Sequence, residues 1–578
     1  MRRILRDRKA PLIVGLLLCW ASVAGQTRSP EAGLTPTEEA AGGSITGSVV
    51  NESGQALAGA RVSVRSNGGG AVRISITDAE GNFRVDDLAP ALYSVSVFYP
   101  AYVMPSINPT WTPRYSRVGD SLRFELVRGG VITGKVIDSA GEPVIGVAVR
   151  ATMVRDAAGE VPRAGGNSFS QWLTDDRGVY RVFGLPAGTY LVSAGGASFS
   201  QGFSLDPYGL DVPTYAPSST FDTAAEISVR SGEEVNADIR YRGERGHVVS
   251  GSMKIADTSS GSLTLTAAGR MTTPLTAFQL PSVRGFQFSG VSDGEYDVVG
   301  TEIKSPRSAA AVVPEIWVSE PKRIVVKGAD VTGLELAPRP LPSIGGRIVL
   351  EASKMAECEG KRRPLFAEMA VFLQRPEKEN GEEKTPLFLR HPEPSSPDAG
   401  GNFLLSNLTP GRYLFDLRFY ARYWYLDSIS TAFTPKVDPA ANWLTLKFGD
   451  RINNVTIKLA EGAASLRGHL KATDDATRPA GLAVYLLPAE REKTADVLRY
   501  FLTTVEADGT FSVNNVPPDR YLVMVQPVAA QTNTLAKLRL PESAEARADL
   551  RRAAALQKTE LELKPCQNLT DFPLSLKP

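Results

Sequence analysis

Apolar and polar residues alternate singly along much of this chain, and the alternating runs are separated by clusters of Gly, Pro, Asp and Asn. In Tyr93-Ser-Val95-Ser-Val97 and Leu122-Arg-Phe124-Glu-Leu126, successive side chains fall on opposite faces, the pattern of half-buried β-strands between turns. One register recurs five times: an aromatic residue, an aliphatic residue five positions later, and a tyrosine five positions after that. The sets are Phe83/Leu88/Tyr93, Tyr180/Leu185/Tyr190, Phe286/Val291/Tyr296, Phe403/Leu408/Tyr413 and Phe511/Val516/Tyr521. A turn precedes the aromatic residue in Asp78-Ala-Glu-Gly81-Asn, Asp175-Asp-Arg-Gly178-Val, Asp398-Ala-Gly-Gly401-Asn and Glu506-Ala-Asp-Gly509-Thr. There the acidic residue supplies an acceptor and Gly accepts a positive φ; the third copy carries Arg284 instead of the Gly. Each copy opens on a strand around a glycine, at Gly47, Gly134, Gly251, Gly346 and Gly468. Each is predicted to close on another alternating strand: Leu122/Phe124/Leu126, Val235/Ala237/Ile239, Leu334/Leu336, Val455/Ile457/Leu459 and Leu561/Leu563.

A repeat in fixed register means a repeated domain. The pattern predicts an all-β chain, a tandem array of about five small antiparallel β-sandwiches at residues 43–128, 129–243, 244–340, 341–462 and 463–578. A signal peptide at 1–25 and a linker at 26–42 precede them. Each closing strand runs into the next opening strand within about ten residues, so a rod or gently bent array is expected. The fourth copy has enlarged loops, where binding sites of sandwiches usually sit. Pro541 to Lys558, rich in Ala, Arg, Glu and Leu, reads as the one helix, packed against the last sandwich or covering its edge strand.

Length and composition agree with several folded domains: 578 residues, 42% hydrophobic and 22% charged. With 64 basic against 63 acidic residues the net charge is +1, so no overall field draws the chain to nucleic acid. Arg2, Arg3, Arg6, Arg8 and Lys9 followed by apolar Leu12 to Val23, with Ser22, Ala24 and Gly25 as small residues, form an export signal too short to span a bilayer. The competing readings are a retained membrane anchor and a lipoprotein attached at Cys19, for which Leu18 and Trp20 are poor neighbours. The expected destination is periplasmic, outer-surface or extracellular, with no integral membrane span after cleavage. Cys358 and Cys566 then remain; they read as idle thiols rather than a disulfide framework, with pairing left open.

The repeat resembles the carboxypeptidase regulatory-like domains of bacterial exported proteins. The second copy carries the resemblance best, through Ile132-Thr-Gly-Lys-Val-Ile-Asp-Ser-Ala-Gly141-Glu-Pro-Val-Ile-Gly146-Val, Thr174-Asp-Asp-Arg-Gly178-Val-Tyr180 and Leu185-Pro-Ala-Gly188-Thr-Tyr190. The first copy matches through Gly54, Gly59, Thr77-Asp78 and Gly81, copies four and five mainly in their second halves, and copy three weakly. The resemblance implies an Ig-like or transthyretin-like sandwich overlapping with carbohydrate-binding-like folds, and it says little of function, because one fold hosts many activities.

Chemistry is scarce. The zinc carboxypeptidase module that such domains can accompany needs a His and a Glu three apart, but His247, His391 and His469 are followed there by Ser250, Pro394 and Ala472. No Gly-x-Ser-x-Gly turn sits on a strand-to-helix unit. The Asp turns offer too few spaced carboxylates for calcium. No catalytic residue, metal or cofactor is expected. The feature that breaks period is the aromatic stretch Tyr413, Phe415, Phe419, Tyr420, Tyr423, Trp424 and Tyr425. Alternation assigns the first of these to the core, and leaves Tyr420, Tyr423, Trp424 and Tyr425 as the candidate ligand-binding residues, able to stack on sugar rings or anchor a partner. The bland alternative is that they cover their own loop. The expectation is a non-catalytic exported binding or scaffold protein with carbohydrate as ligand class; the alternative is a structural rod or adhesion module binding envelope proteins, and an accessory part of a hydrolase ranks last.

Overall fold

The computed structural model describes residues 42–105, 115–161, 172–196, 207–256, 259–268, 275–279, 285–304, 314–375, 394–431, 443–471, 481–527, 540–541 and 543–575. The predicted leader and nearly all of the linker lie outside them. What is described is all-β apart from one helix and short 3-10 turns, and its ten sheets pair into five two-sheet sandwiches.

Sandwich 1 shows the plan. Its opening strand Gly43–Asn51 pairs antiparallel with Asn82–Leu88, which carries Phe83, and parallel with the closing strand Ser121–Arg128. The second sheet sets Arg61–Ser66 between Arg73–Ile76 and Leu92–Phe98, and Leu92–Phe98 also pairs with Tyr115–Arg117. Ile45, Val49, Val62, Val64, Phe83, Val85 and Tyr93 meet between the sheets, which is why the chain alternates with period two. The opening strands Gly130–Ile137, His247–Met253, Ser343–Glu351 and Ala464–Leu470 likewise have an antiparallel aromatic strand on one side and a parallel closing strand on the other.

Three interactions account for the sequence register. Each repeat tyrosine donates its hydroxyl to the backbone oxygen four residues earlier: Tyr93 to Ala89 (2.7 Å), Tyr190 to Pro186 (2.6 Å), Tyr296 to Ser292 (2.9 Å), Tyr413 to Thr409 (2.7 Å) and Tyr521 to Pro517 (3.0 Å). A corner closed in this way lets a buried ring satisfy its own polar tip. Three of the four acidic turns do what their chemistry predicts: Asp78 accepts from the backbone of Glu80 and Asn82, Asp175 from Arg177 and Val179, Asp398 from Gly400 and Asn402; in the fourth, Asp508 rather than Glu506 accepts, from the Thr510 N–H. The opening glycine is a matter of space. A Cβ on Gly47 would stand 2.1 Å from the Leu122 carbonyl oxygen, on Gly251 2.1 Å from that of Leu334, and on Gly346 2.2 Å from that of Val455. Arg284 of the third copy lies outside the described residues.

Several expectations change. In the last repeat the closing strand is Asn568–Leu574, which pairs parallel with Ala464–Leu470. Leu561 and Leu563 are buried but belong to the other sheet, where Glu560–Glu562 pairs with Arg520–Pro527. The cause is an insertion: helix Ala544–Gln557 interrupts the repeat and shifts its tail toward the C-terminus. That helix starts on Ser543, whose hydroxyl accepts from Ala546, and ends at Lys558 with φ 52°. It lies on the outer face of the second sheet, where Ala554 and Leu550 meet Ala483, Tyr485, Leu487 and Met524. Strand Leu482–Pro488 is therefore buried along its whole length.

The sandwiches also do not behave as a simple row. Leu92 and Tyr115 of sandwich 1 pack on Ala370 and Phe372 of sandwich 4, and the Asn67 side chain donates to Ser396 at 2.7 Å. Cys358 and Cys566 are not idle thiols: they form a disulfide between sandwiches 4 and 5. None of the described helices is long and apolar enough to cross a membrane.

Candidate functional site

Sandwich 4 brings the aromatic stretch together and then divides it. Tyr413 and Phe415 lie on strand Gly411–Arg418 with their side chains in the core, and Phe419 packs against the same core. The chain turns at Ala421, where the Trp424 backbone N–H donates to the Ala421 oxygen at 3.2 Å, and a new strand, Trp424–Thr431, begins. This turn resets the alternation. Trp424 is therefore directed inward and is only 1% exposed, among Ala421, Leu459 and their neighbours. Its indole N–H has no partner there. As a stacking platform for a sugar Trp424 is closed off, and its assignment as a ligand-binding residue is corrected to core.

The rings of Tyr420 and Tyr425 face junctions, whereas that of Tyr423 packs within sandwich 4. Tyr420 is 38% exposed, donates its hydroxyl to the Tyr115 carbonyl at 3.2 Å, and receives the Arg117 guanidinium over its ring at 4.4 Å. It thus extends the apolar seam between sandwiches 1 and 4, with a cation–π contact at its rim. Tyr423 is half-buried, with the Lys361 ammonium 4.8 Å from its ring, and its carbonyl accepts from Gly462 and Ala463, the linker into sandwich 5. Tyr425, also half-buried, has Arg499 of sandwich 5 at 5.7 Å from its ring, and the same Arg499 reaches Asp427 at 3.3 Å. Burial pushes the phenols of Tyr420 and Tyr425 up. They are neutral near pH 7, suited to packing and hydrogen bonding rather than to nucleophilic or base chemistry.

Beside this cluster the sandwich 4–5 junction is fixed by two further devices. The disulfide ties Cys358 of sandwich 4 to Cys566, whose backbone N–H donates to Gly462 at 2.9 Å. Asn515 donates its amide to the backbone oxygens of Ala421 (2.8 Å) and Trp424 (2.7 Å). Asn407 does the same work at the junction of sandwiches 3 and 4, accepting from the Ile316 N–H at 2.9 Å and donating to Pro314 at 3.0 Å. Both have positive φ, 60° and 56°. They occupy the position just before the aliphatic member of the register, where the other copies place Asp87, Gly184 and Gly290, also at positive φ. Sequence reasoning passed over this position; its signal was the choice, in all five copies, of a residue tolerant of the left-handed region.

The histidines give no contrary chemistry. His469 lies in an opening strand with its Nδ1 3.0 Å from exposed Asp571, and His247 stands between Asp293 and Asp330 at 3.2 and 3.8 Å. His391 lies outside the described residues. Among the described residues no group of His, Cys, Asp and Glu is arranged to hold a metal ion.

Residues 44–110, within sandwich 1, match the carboxypeptidase regulatory-like domain family. No curated protein sequence matches the chain. Among solved structures, the Bacillus anthracis TIE protein is 16% identical with a TM-score of 0.14, over 52% of this chain and 51% of that one, so the match spans about half of its length. GBS52, the minor pilin of Streptococcus agalactiae, is 10% identical with a TM-score of 0.19, over 35% of this chain and 96% of that one. BcpA, the major pilin subunit of Bacillus cereus, is 11% identical with a TM-score of 0.14, over 51% and 99%. At such identities and scores these overlaps carry no statement about activity or partners.

Proposed function

We propose that the protein is an exported, non-catalytic scaffold whose sandwiches are held in fixed mutual positions and present surfaces to protein partners at the cell envelope. One observation carries the reading: of the aromatic stretch that offered the best ligand site, Tyr420 and Tyr425 are engaged by sandwiches 1 and 5, and the remainder packs in or against the core of sandwich 4. A disulfide beside it fits an oxidising compartment. Contacts between sandwiches support fixed positions: Leu92 and Tyr115 on Ala370 and Phe372, and Arg499 on Asp427. The burial of Trp424 weighs against carbohydrate as the ligand of this stretch.

The purified mature chain is tested against cell-wall and plant glycans and against peptidase, esterase and glycosidase substrates, and cells producing it are treated with a lysine-reactive cross-linker. Reproducible envelope-protein adducts without glycan binding or turnover are expected. Glycan binding lost in Tyr420→Ala would overturn the scaffold reading in favour of carbohydrate recognition; chelator-sensitive turnover would overturn it in favour of a hydrolase.

A further inference from the structure

In each sandwich the second sheet has an outer face, and in three of the five the described residues show what covers it. In sandwich 5 the helix Ala544–Gln557 lies on it. In sandwich 4 Ala370 and Phe372 are covered by Leu92 and Tyr115 of sandwich 1. In sandwich 3 Val299 is packed with Val318, Leu341 and Phe448. In sandwich 2 the outward-facing Leu191 and Ser193 are buried as well. Sandwich 1 differs.

Its outer face continues from Leu92, the residue seated on sandwich 4, along the same side of the same strand. Beyond that seam it is open. Ile74, Ile76 and Phe98 are 50%, 57% and 65% exposed. The register sets the face in rows: Arg61 lies between Ile76 and Phe98, and Ser63 between Ile74 and Ser96. Arg61 and Arg65 flank the shallow groove that Val72, Ile74 and the serines line. No carboxylate lines it, and neither guanidinium has an ion-pair partner among the described residues.

The groove also ends on a free edge. Arg73–Ile76 is the outermost strand of its sheet and pairs on one side only among the described residues. The Thr77 N–H donates to the Ala60 oxygen at 3.0 Å. Alternation then turns the backbone N–H and C=O groups of Ile74 and Ile76 to the open side. An exposed edge with unpaired ladder groups and an apolar face is a template for another strand.

We propose that this face and edge of sandwich 1 dock an extended peptide segment of a partner, added as a strand beside Arg73–Ile76, with a carboxylate, an aliphatic and a second carboxylate on alternate residues. The spacing follows from the receptor. Arg61 and Arg65 are four residues apart on one strand, a rise of about 13 Å that equals the separation of carboxylates at i and i+4 in an extended chain. The aliphatic residue at i+2 meets Ile74 between them. Charge-assisted contacts to the two arginines select acid over base. A glycan is the poorer fit, since the apolar members are chiefly aliphatic rather than a row of flat rings. Two-fold packing of the face on a second copy would set Arg61 and Arg65 against arginines.

The proposal rests on the scaffold reading for its class of partner, and the two fail separately: turnover by the chain would overturn the scaffold without touching peptide binding. The full mature chain is titrated, by anisotropy, into fluorescein-labelled Thr-Glu-Thr-Val-Thr-Glu-Thr. Saturable binding is expected, weakened at least about tenfold in the Arg61→Glu, Arg65→Glu double variant, which should gain affinity for the same peptide with Lys in place of Glu. A peptide N-methylated on alternate backbone amides keeps every side chain and should lose binding. Equal binding of the N-methylated peptide would overturn strand addition. Equal competition by polyglutamate or polygalacturonate, regardless of carboxylate spacing, would reduce the surface to a general polyanion patch and overturn the proposal, as would no binding at millimolar peptide.

Discussion

Replacing Gly47 with alanine separates the two reasons a sandwich of this kind holds a glycine. The new Cβ would lie 2.1 Å from the Leu122 oxygen and 2.8 Å from the Phe83 ring, where real Cβ atoms do not approach within 3.0 Å. The closing strand must therefore withdraw by about 1 Å, and it is held by a parallel ladder running from Thr46/Ser121 to Asn51/Leu126. Overpacking of this sort costs about 1–3 kcal/mol, and each ladder bond lost adds about 1 kcal/mol, giving ~3 kcal/mol in all. Gly54 is the control: its φ is 79° and nothing lies within 4 Å of a built Cβ, so Gly54→Ala pays only for a left-handed alanine, ~1 kcal/mol. Amide hydrogen exchange in Gly43–Asn51 and Ser121–Arg128 reads the local opening free energy. Exchange should accelerate about 150-fold in Gly47→Ala and about fivefold in Gly54→Ala, at about 1.4 kcal/mol per decade. If Gly47→Ala exchanges no faster than Gly54→Ala, close approach of the closing strand is not what requires the opening glycine.

Three further outcomes are expected. Asn515→Gly keeps the left-handed backbone but loses both amide bonds across the sandwich 4–5 junction; at ~1–2 kcal/mol this should speed protease cleavage at the Glu461–Ala463 linker about five- to thirtyfold, and an unchanged rate would refute a fastening role. Burial pushes Tyr215 up to about 12 and Tyr180, Tyr190 and Tyr521 above the ordinary tyrosine range. Their folded values exceed the unfolded value near 10, so the stability they contribute is whole below about pH 10 and falls as pH rises toward the folded values; alkaline absorbance titration should show them ionising only with unfolding, and reversible ionisation alongside exposed phenols would contradict this. Alkylation in denaturant without reductant should leave Cys358 and Cys566 unlabelled, with both labelled after reduction; labelling before reduction would show that the disulfide is not formed.

Much of the architecture was legible because the register records interactions local to each repeat: a tyrosine corner, an acidic turn, a glycine under a crossing strand. What lay between repeats was harder to read. Alternation says which side chains face inward, but not what the outer ones meet, although Leu92 next to Tyr93 and the unbroken run Ala370-Val-Phe-Leu373 carried the signal of burial on both faces. Trp424 was misplaced because the turn at Ala421 restarts the alternation, so counting from Tyr413 gives the wrong side. The last closing strand was misplaced because the inserted helix breaks the spacing. The disulfide was hidden because its two ends serve different repeats, and sequence distance says nothing about a junction.

Each opening strand waits for its parallel partner until the end of its own repeat, as Thr46 does for Ser121 and Ser465 for Asn568. Until then one flank of every opening strand is an unfilled slot, and its chain carries five closing strands of similar alternation that could enter it. Parallel pairing across so long a stretch is slow, and look-alike neighbours favour exchange between repeats or between molecules. Divergence among the closing strands, Leu122/Phe124/Leu126 in one repeat and Leu334/Leu336 in another, opposes that exchange to the extent that each packs less well in a sibling's slot.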